Sequence, residues 1–341
     1  MHPKINRIIT IEWIAQKLLY RFNNSGPLIE LILDIVPDSL QLNKDTNKLS
    51  QYLVIQGSFD PPTSSHIDII SKAIDLHSKL NPSGTIKVLL LLSLSHVDKK
   101  MDVLNHSLFG YRIEMLEKLF TSLEFKVPIS IGLSNVARYI DLINAAYQIS
   151  PNMNKISFIM GMDVFKKLLD PIYYSTPIEQ VLPNIFRADY YIAGREDVFS
   201  KEEFDTFLNT HLDHQFHKNT LFLSLQKSHR FLNASLIREK YSKNEFIEEF
   251  YIHSTILKYL KENNIYQLTP KWIATKIAIQ SVVDLTLTAG KDQIIASKIL
   301  NQFLPEIYNN DQLQQKLISE YQSGKNVEIR RKWNQLINLS S

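Results

Sequence analysis

The sequence predicts an α/β protein, a doubly wound parallel sheet with helical additions at both ends. Between residues 51 and 267, short runs rich in leucine and β-branched residues alternate with segments of helical period. Those runs are apolar almost throughout, as strands covered on both faces must be. Beyond Leu268 the helical period continues alone.

The first 22 residues predict a helix, because Ile8, Ile9, Ile11, Ile14, Ala15, Leu18 and Leu19 recur at helical spacing around Arg7, Glu12 and Lys17. They lack the long apolar core and small-residue cleavage site of a signal peptide, and Glu12 with few serines argues against a transit peptide. A second apolar segment, Pro27 to Val36, is counted with this addition, and the polar stretch Pro37 to Ser50 is read as a linker. Strands are expected near Tyr52 to Gln56, Ile86 to Leu94, Pro128 to Leu133, Lys155 to Met160, Tyr190 to Ala193 and Leu221 to Leu225. In such Rossmann-like sheets, ligands bind beyond the carboxyl ends of the strands. Candidate helices at Trp272 to Leu287, Lys291 to Phe303, Asp311 to Tyr321 and Val327 to Ile337 are punctuated by Pro270, Pro305 and Gly324. The expected division is therefore 1–50, 51–267 and 268–341.

Composition excludes several classes of function. The 341 residues hold no cysteine, which removes disulfides, thiolate metal sites and thiol nucleophiles. A balance of 38 basic against 35 acidic residues, mixed along the chain, argues against a nucleic-acid face. Apolar runs are too short or too interrupted, by Lys276, Gln280 and Asp284 for example, to span a bilayer, so a cytoplasmic protein is expected.

The segment Gly57-Ser-Phe-Asp-Pro-Pro-Thr-Ser-Ser-His66 stands between the first expected strand of the sheet and a helix reaching about Leu80. Gly57 is read as the tight release from the strand, Pro61 and Pro62 stiffen the turn, and Thr63 or Ser64 can cap the helix. Free amides and the positive end of the helix dipole would then face an anion, with Thr63 and His66 on one face of the first turn. The bland alternative is an ordinary loop with a structural histidine.

A second segment, Asn233-Ala-Ser-Leu-Ile-Arg238, follows the last expected strand and enters a helix near Ser235. Ser235 offers a hydroxyl and Arg238 a planar cation suited to phosphate oxygens. An N-cap and a surface arginine are the alternative; paired with the first motif, the segment reads as a second phosphate clamp.

These residues resemble the nicotinamide and nicotinate mononucleotide adenylyltransferases of the nucleotidylyltransferase superfamily. Gly57, Ser58, Phe59, Asp60, Pro61, Thr63 and His66 fit its first signature, and Ser235, Ile237 and Arg238 its later one. Ala234 and Leu236 depart from it, standing where relatives carry serine and lysine. The resemblance extends over most of residues 52–266, in a divergent, fungal-like branch. It implies an ATP site at Gly57, Ser58, Phe59, Thr63, His66, Gly161, Asp163, Ser235, Leu236, Ile237 and Arg238. His66 and Arg238 would be the catalytic pair. It further implies a mononucleotide site at Ser58, Phe59, Lys99, Tyr173, Tyr174 and Arg195, with Ser95-His-Val-Asp-Lys99 and Tyr111-Arg112 as the loop and helix after the second strand.

Each position has an alternative. Asp163 could cap its helix, Tyr173 and Tyr174 could pack a turn, Lys99 and Lys100 could be a solvated pair, and His96, His106 and His229 are read as structural or surface residues. Gly161 is expected to let a nucleotide approach the backbone. The implied reaction joins the mononucleotide to the adenylyl group of ATP and releases pyrophosphate, with Mg²⁺ held mainly by phosphates because neither motif contains a carboxylate cluster. The additions leave room for a homo-oligomer. Rival readings are a superfamily member using pantetheine phosphate or CTP, a class I aminoacyl-tRNA synthetase, which would need a KMSKS-like loop, an anticodon domain and a basic excess not found here, and a nucleotide-binding scaffold without turnover.

Overall fold

A computed structural model of the protein describes residues 3–26, 28–36, 50–82, 84–94, 106–136, 138–149, 153–194, 200–225 and 232–337. Helix α1 (Pro3–Ser25) leads to strand β1 (Ile29–Ile35), followed by β2 (Ser50–Gly57), β3 (Thr85–Ser93), β4 (Ile129–Ser134), β5 (Met153–Gly161), β6 (Asp189–Gly194) and β7 (Thr220–Ser224). They form one seven-stranded sheet in the order β1-β4-β3-β2-β5-β6-β7. Strands β2 to β7 are mutually parallel, as the apolar runs imply.

Strand β1 departs from the expectation of a purely helical N-terminal addition. Its residues run antiparallel to β4, with Ile29 opposite Ser134 and Ile35 opposite Ile129. An isoleucine-rich run has strand propensity, and an uncovered β4 would expose a row of unpaired backbone groups. The expected linker at 37–49 lies outside the described residues.

Period-two alternation divides each strand between two layers. Leu53, Ile55, Val88, Leu90 and Leu92 face a core built with α2 (Ser64–Leu80), α3 (Phe109–Ser122) and the helices of both additions. Tyr52, Val54, Leu89 and Leu91 face the opposite core, under α4 (Tyr139–Ile149), α5 (Met162–Leu168), α6 (Ile178–Ile185) and α7 (Lys201–His211). A short α8 (His214–His217) precedes β7, and α9 (Ala234–Ser242) and α10 (Ser254–Asn263) follow it.

The additions share the first core. Helix α1 crosses α3 at Gly110, where a Cβ would lie 2.8 Å from Ile8 Cα, and the Gly110 amide donates to Glu12 Oε1 at 3.0 Å. Burial pushes the Glu12 carboxyl up to about 7 against the pull of that amide and of Arg112. Helix α11 (Pro270–Thr288) is buried over most of its length because α1, α12 (Gln293–Tyr308), α13 (Asp311–Gln322) and α14 (Val327–Ile337) pack around it. Pro305, expected to end a helix, lies within α12. Its neighbours Leu304 and Ile307 are fully buried, and their packing carries the helix past the proline.

Candidate functional site

The chain winds outward from β2 through β3 to β4, then returns to place β5 on the other side of β2. The winding therefore reverses between β2 and β5, and a crevice must open at their carboxyl ends. A cavity of about 410 Å³ lies there, lined by Gln56, His66, Tyr139, Met160, Gly161 and Asp163 among others. That volume is within the roughly 300–1,000 Å³ of small-molecule sites. The first motif and the Gly161–Asp163 segment thus meet in one place.

Within the first motif the left-handed residue is Phe59, with φ 43°, two residues after Gly57, the expected release, which ends β2. A Cβ on Gly57 would meet the Phe59 ring at an ordinary 3.5 Å. The Phe59 ring is buried 5.0 Å from the His66 ring, and neither Phe59 nor half-buried Ser58 is among the residues lining the cavity.

Thr63 is the N-cap of α2 and His66 its third residue. The Thr63 amide donates to His66 Nδ1 at 2.9 Å, and the Thr63 hydroxyl lies 2.8 Å from the same nitrogen. A nitrogen that accepts carries no proton, so the neutral ring bears its hydrogen on Nε2. Burial pushes the His66 pKa down to about 4, keeping the ring neutral at neutral pH with a single N–H donor.

The expectation of several free amides holds only in part. Ser64 N donates to Tyr251 O at 3.1 Å, while His66 N and Ile67 N donate to Thr63 O at 3.0 and 3.4 Å. Among the described residues, Ser65 supplies the remaining amide of this turn.

The second motif differs from its expected form. Helix α9 starts at Ala234, capped by Asn233, whose side chain accepts from Leu236 N at 2.8 Å. Ser235, expected near the helix start, is its exposed second residue, and Ile237 is buried in the core. Arg238 is no surface arginine: its side chain is 16% exposed, and Nη1 donates to the Asp60 carbonyl at 2.5 Å and lies 3.8 Å from Asp60 Oδ2. Nη2 donates to Ser235 Oγ at 3.1 Å.

Asp60 is the fully buried node that joins both motifs. His106 Nδ1 lies 2.7 Å and Arg112 Nη2 3.4 Å from Oδ2, and Tyr266 donates to Oδ1 at 2.6 Å. Ser107 binds Oδ1 through its hydroxyl and, at 3.2 Å, through its amide. Burial alone would push this carboxyl up; Arg112, the hydrogen bond to His106, Arg238 and Ser107 together hold it well below the usual carboxylate range. Sequence reasoning assigned Asp60 no such role and set His106 aside. No local signal could have shown it, because these partners come from 46 to 206 residues away in the chain.

Gly161 serves a neighbour in the way a ligand was expected to be served. A Cβ there would lie 2.5 Å from Asp163 Oδ1, so the glycine makes room for that carboxylate. Tyr174 donates its hydroxyl to Leu168 O at 2.6 Å, and Tyr173 ends the 3-10 turn Pro171–Tyr173 capped by Asp170. Neither tyrosine is among the residues lining the His66 cavity. Lys99 and Arg195, with His96 and His229, lie outside the described residues. Tyr139, which sequence reasoning passed over, lines the cavity close enough to Asp163 to feel its charge.

His66 and Arg238 open onto different cavities. Ser235 and Arg238 line a second one of about 220 Å³, with Tyr266 and Lys276.

No protein-family model matches the sequence, and no curated protein matches it. Solved structures do match. One, provisionally named a nicotinate-nucleotide adenylyltransferase, from Vibrio parahaemolyticus, is 15% identical, with a TM-score of 0.38 over 64% of this chain and 97% of that one. So distant a likeness adds nothing to the architecture traced above. Among the described residues no helix is long and apolar enough to cross a membrane, and no three His, Asp or Glu side chains gather as a metal site.

Proposed function

We propose that the protein is a nucleotidyltransferase that joins nicotinamide or nicotinate mononucleotide to the adenylyl group of ATP. The observation that carries this reading is His66, whose Nδ1 is engaged by Thr63 and which lines a cavity of about 410 Å³ at the strand switch point. The link from Arg238 to Asp60 supports it, because it ties the second motif to the first.

In the reaction, a 5′-phosphate oxygen of the mononucleotide attacks the α-phosphorus of ATP in line. The bond from that phosphorus to the bridging oxygen breaks, and pyrophosphate leaves with its electrons. His66 Nε2–H and the Ser65 amide would stabilise charge on the α-phosphate oxygens, and no covalent enzyme intermediate is needed. Mg²⁺ would be held mainly by the triphosphate oxygens, since Asp60 is committed to its cationic partners and, among the described residues, Asp163 is the one carboxylate lining the cavity.

The test is incubation of the purified full chain with ATP, Mg²⁺ and either mononucleotide, with dinucleotide read by mass spectrometry and pyrophosphate by an enzymatic assay. Failure to form both, with ATP still bound, would favour a nucleotide-binding protein without turnover. That second reading draws on the separation of His66 and Arg238 into two cavities.

A further inference from the structure

The last side chain of β2 before its terminal glycine is Gln56, to which the sequence assigned no role. It is half-buried and lines the cavity at the strand switch point. Its Nε2 donates to the Val136 carbonyl at 2.8 Å and to Ser134 Oγ at 3.4 Å, reaching past β3 to the carboxyl end of β4. A carbonyl only accepts, so the bond to Val136 fixes which end of the carboxamide is the nitrogen. Ser134 and Val136 are buried, and a flipped carboxamide would set its oxygen against the Val136 carbonyl. Oε1 is thereby held as an acceptor, with no hydrogen-bond partner among the described residues. The Asp163 carboxylate lines the same cavity, and among the described residues no lysine or arginine does. Ile55, Ile159, Met160 and Tyr139 make much of the remaining wall apolar or aromatic, as the faces of a flat base require.

We propose that Gln56 is a specificity-determining residue, whose Oε1 accepts from an exocyclic N–H of the base bound in this cavity and so selects an amine or carboxamide over the matching carbonyl or carboxylate. This rests on the nucleotide part of the transferase reading. Two ligands of that reaction carry such a group, the 6-amino group of adenine and the carboxamide of nicotinamide. Their acceptor counterparts are the carbonyl of hypoxanthine and the carboxylate of nicotinate. An acceptor brought against Gln56 Oε1 would face a second oxygen with no proton between them, and a carboxylate would also meet the charge of Asp163. A site built to pair with an N–H discriminates against the analogue lacking it far more strongly than shape alone does. The Nε2 of Gln56 serves the end of β4, while its oxygen is left to the ligand.

Titration calorimetry of the full chain tests it with two ligand pairs, ATP against inosine triphosphate and nicotinamide against nicotinate mononucleotide, in the wild type, Gln56→Met and Gln56→Lys. In at least one pair the wild type should bind the amino or carboxamide member about tenfold or more tightly, and the pair that responds tells whether the base is the purine or the pyridine. Gln56→Met removes the acceptor and should bring that preference to within about twofold. Gln56→Lys keeps a donor for the Val136 carbonyl and replaces the acceptor by a cation, so it should reverse the preference. A role confined to holding β4 would leave the preference intact in both. Near-ultraviolet circular dichroism checks folding, and should Gln56→Met not fold, Gln56→Lys decides. Equal binding within both pairs by the wild type, or a preference that a folded variant retains, overturns the proposal. Binding of none of the four ligands overturns it together with the nucleotide reading. A preference that depends on Gln56 without any dinucleotide formation leaves the proposal standing and removes the transferase reading. Dinucleotide formation with equal use of both members of each pair does the reverse.

Discussion

The two sequence motifs follow one plan, a strand leading to a helix whose first turn carries a cationic or imidazole side chain, yet the fold holds them differently. His66 is oriented by Thr63, three residues away in its own helical turn. Arg238 is oriented by Asp60, 178 residues away. The first arrangement is a local property of a capped helix, and the second exists only when the whole sheet and α9 have assembled. A motif can therefore be legible in both cases while the direction of its side chain is legible in one.

Asp60→Asn should have the largest effect and breaks the comparison at its centre. Removing the carboxylate leaves Arg112 and Arg238 buried beside an uncharged amide, and loss of one partner of a buried pair costs about 3–5 kcal/mol. Denaturant unfolding should show that loss. A stability within 1 kcal/mol of wild type would mean that the second motif does not depend on this node.

His66→Ala sharpens the local side of the contrast. Turnover should fall about 100- to 1,000-fold, as for loss of one donor to a transition-state oxyanion, with a small change in melting temperature. Retention of near-wild-type kcat would remove His66 from the chemistry.

A pH series separates the motif from its scaffold. His66 has a lowered pKa, so its neutral form is favoured by folding; its contribution is present above about 6.5 and lost as pH falls toward 4. Glu12 has a raised one, so its contribution is present below about 4.5 and lost as pH rises through 7. Glu12→Gln keeps the acceptor for Gly110 and should stabilise the protein by on the order of 2–3 kcal/mol at pH 8 and hardly at pH 4.5. Equal effects at both pH values in thermal melts would show that the buried charge is not the cause.

The smallest effects concern two glycines of the site. Gly161→Ala must displace the Asp163 carboxylate, whose oxygen lies 2.5 Å from the new methyl, and should weaken ATP binding severalfold. Gly57→Ala meets only the Phe59 ring at 3.5 Å and should change stability by less than about 0.5 kcal/mol. The opposite ranking in ATP titrations and melts would return the critical turn to Gly57.

By itself the sequence determined the parallel strands, the helices that alternate with them and the capped turn at Thr63 and His66. Each is written in a periodicity or a spacing of a few residues. It could not place β1, because a short apolar run such as Ile29–Ile35 becomes a strand only where an open sheet edge receives it. Nor could it show that Phe59 takes the left-handed turn, that Gly161 accommodates Asp163, or that His106, Arg112, Tyr266 and Lys276 converge around Asp60. The contacts around Asp60 join residues far apart in the chain, and a buried charge finds its partners only when tertiary packing has removed water from around it.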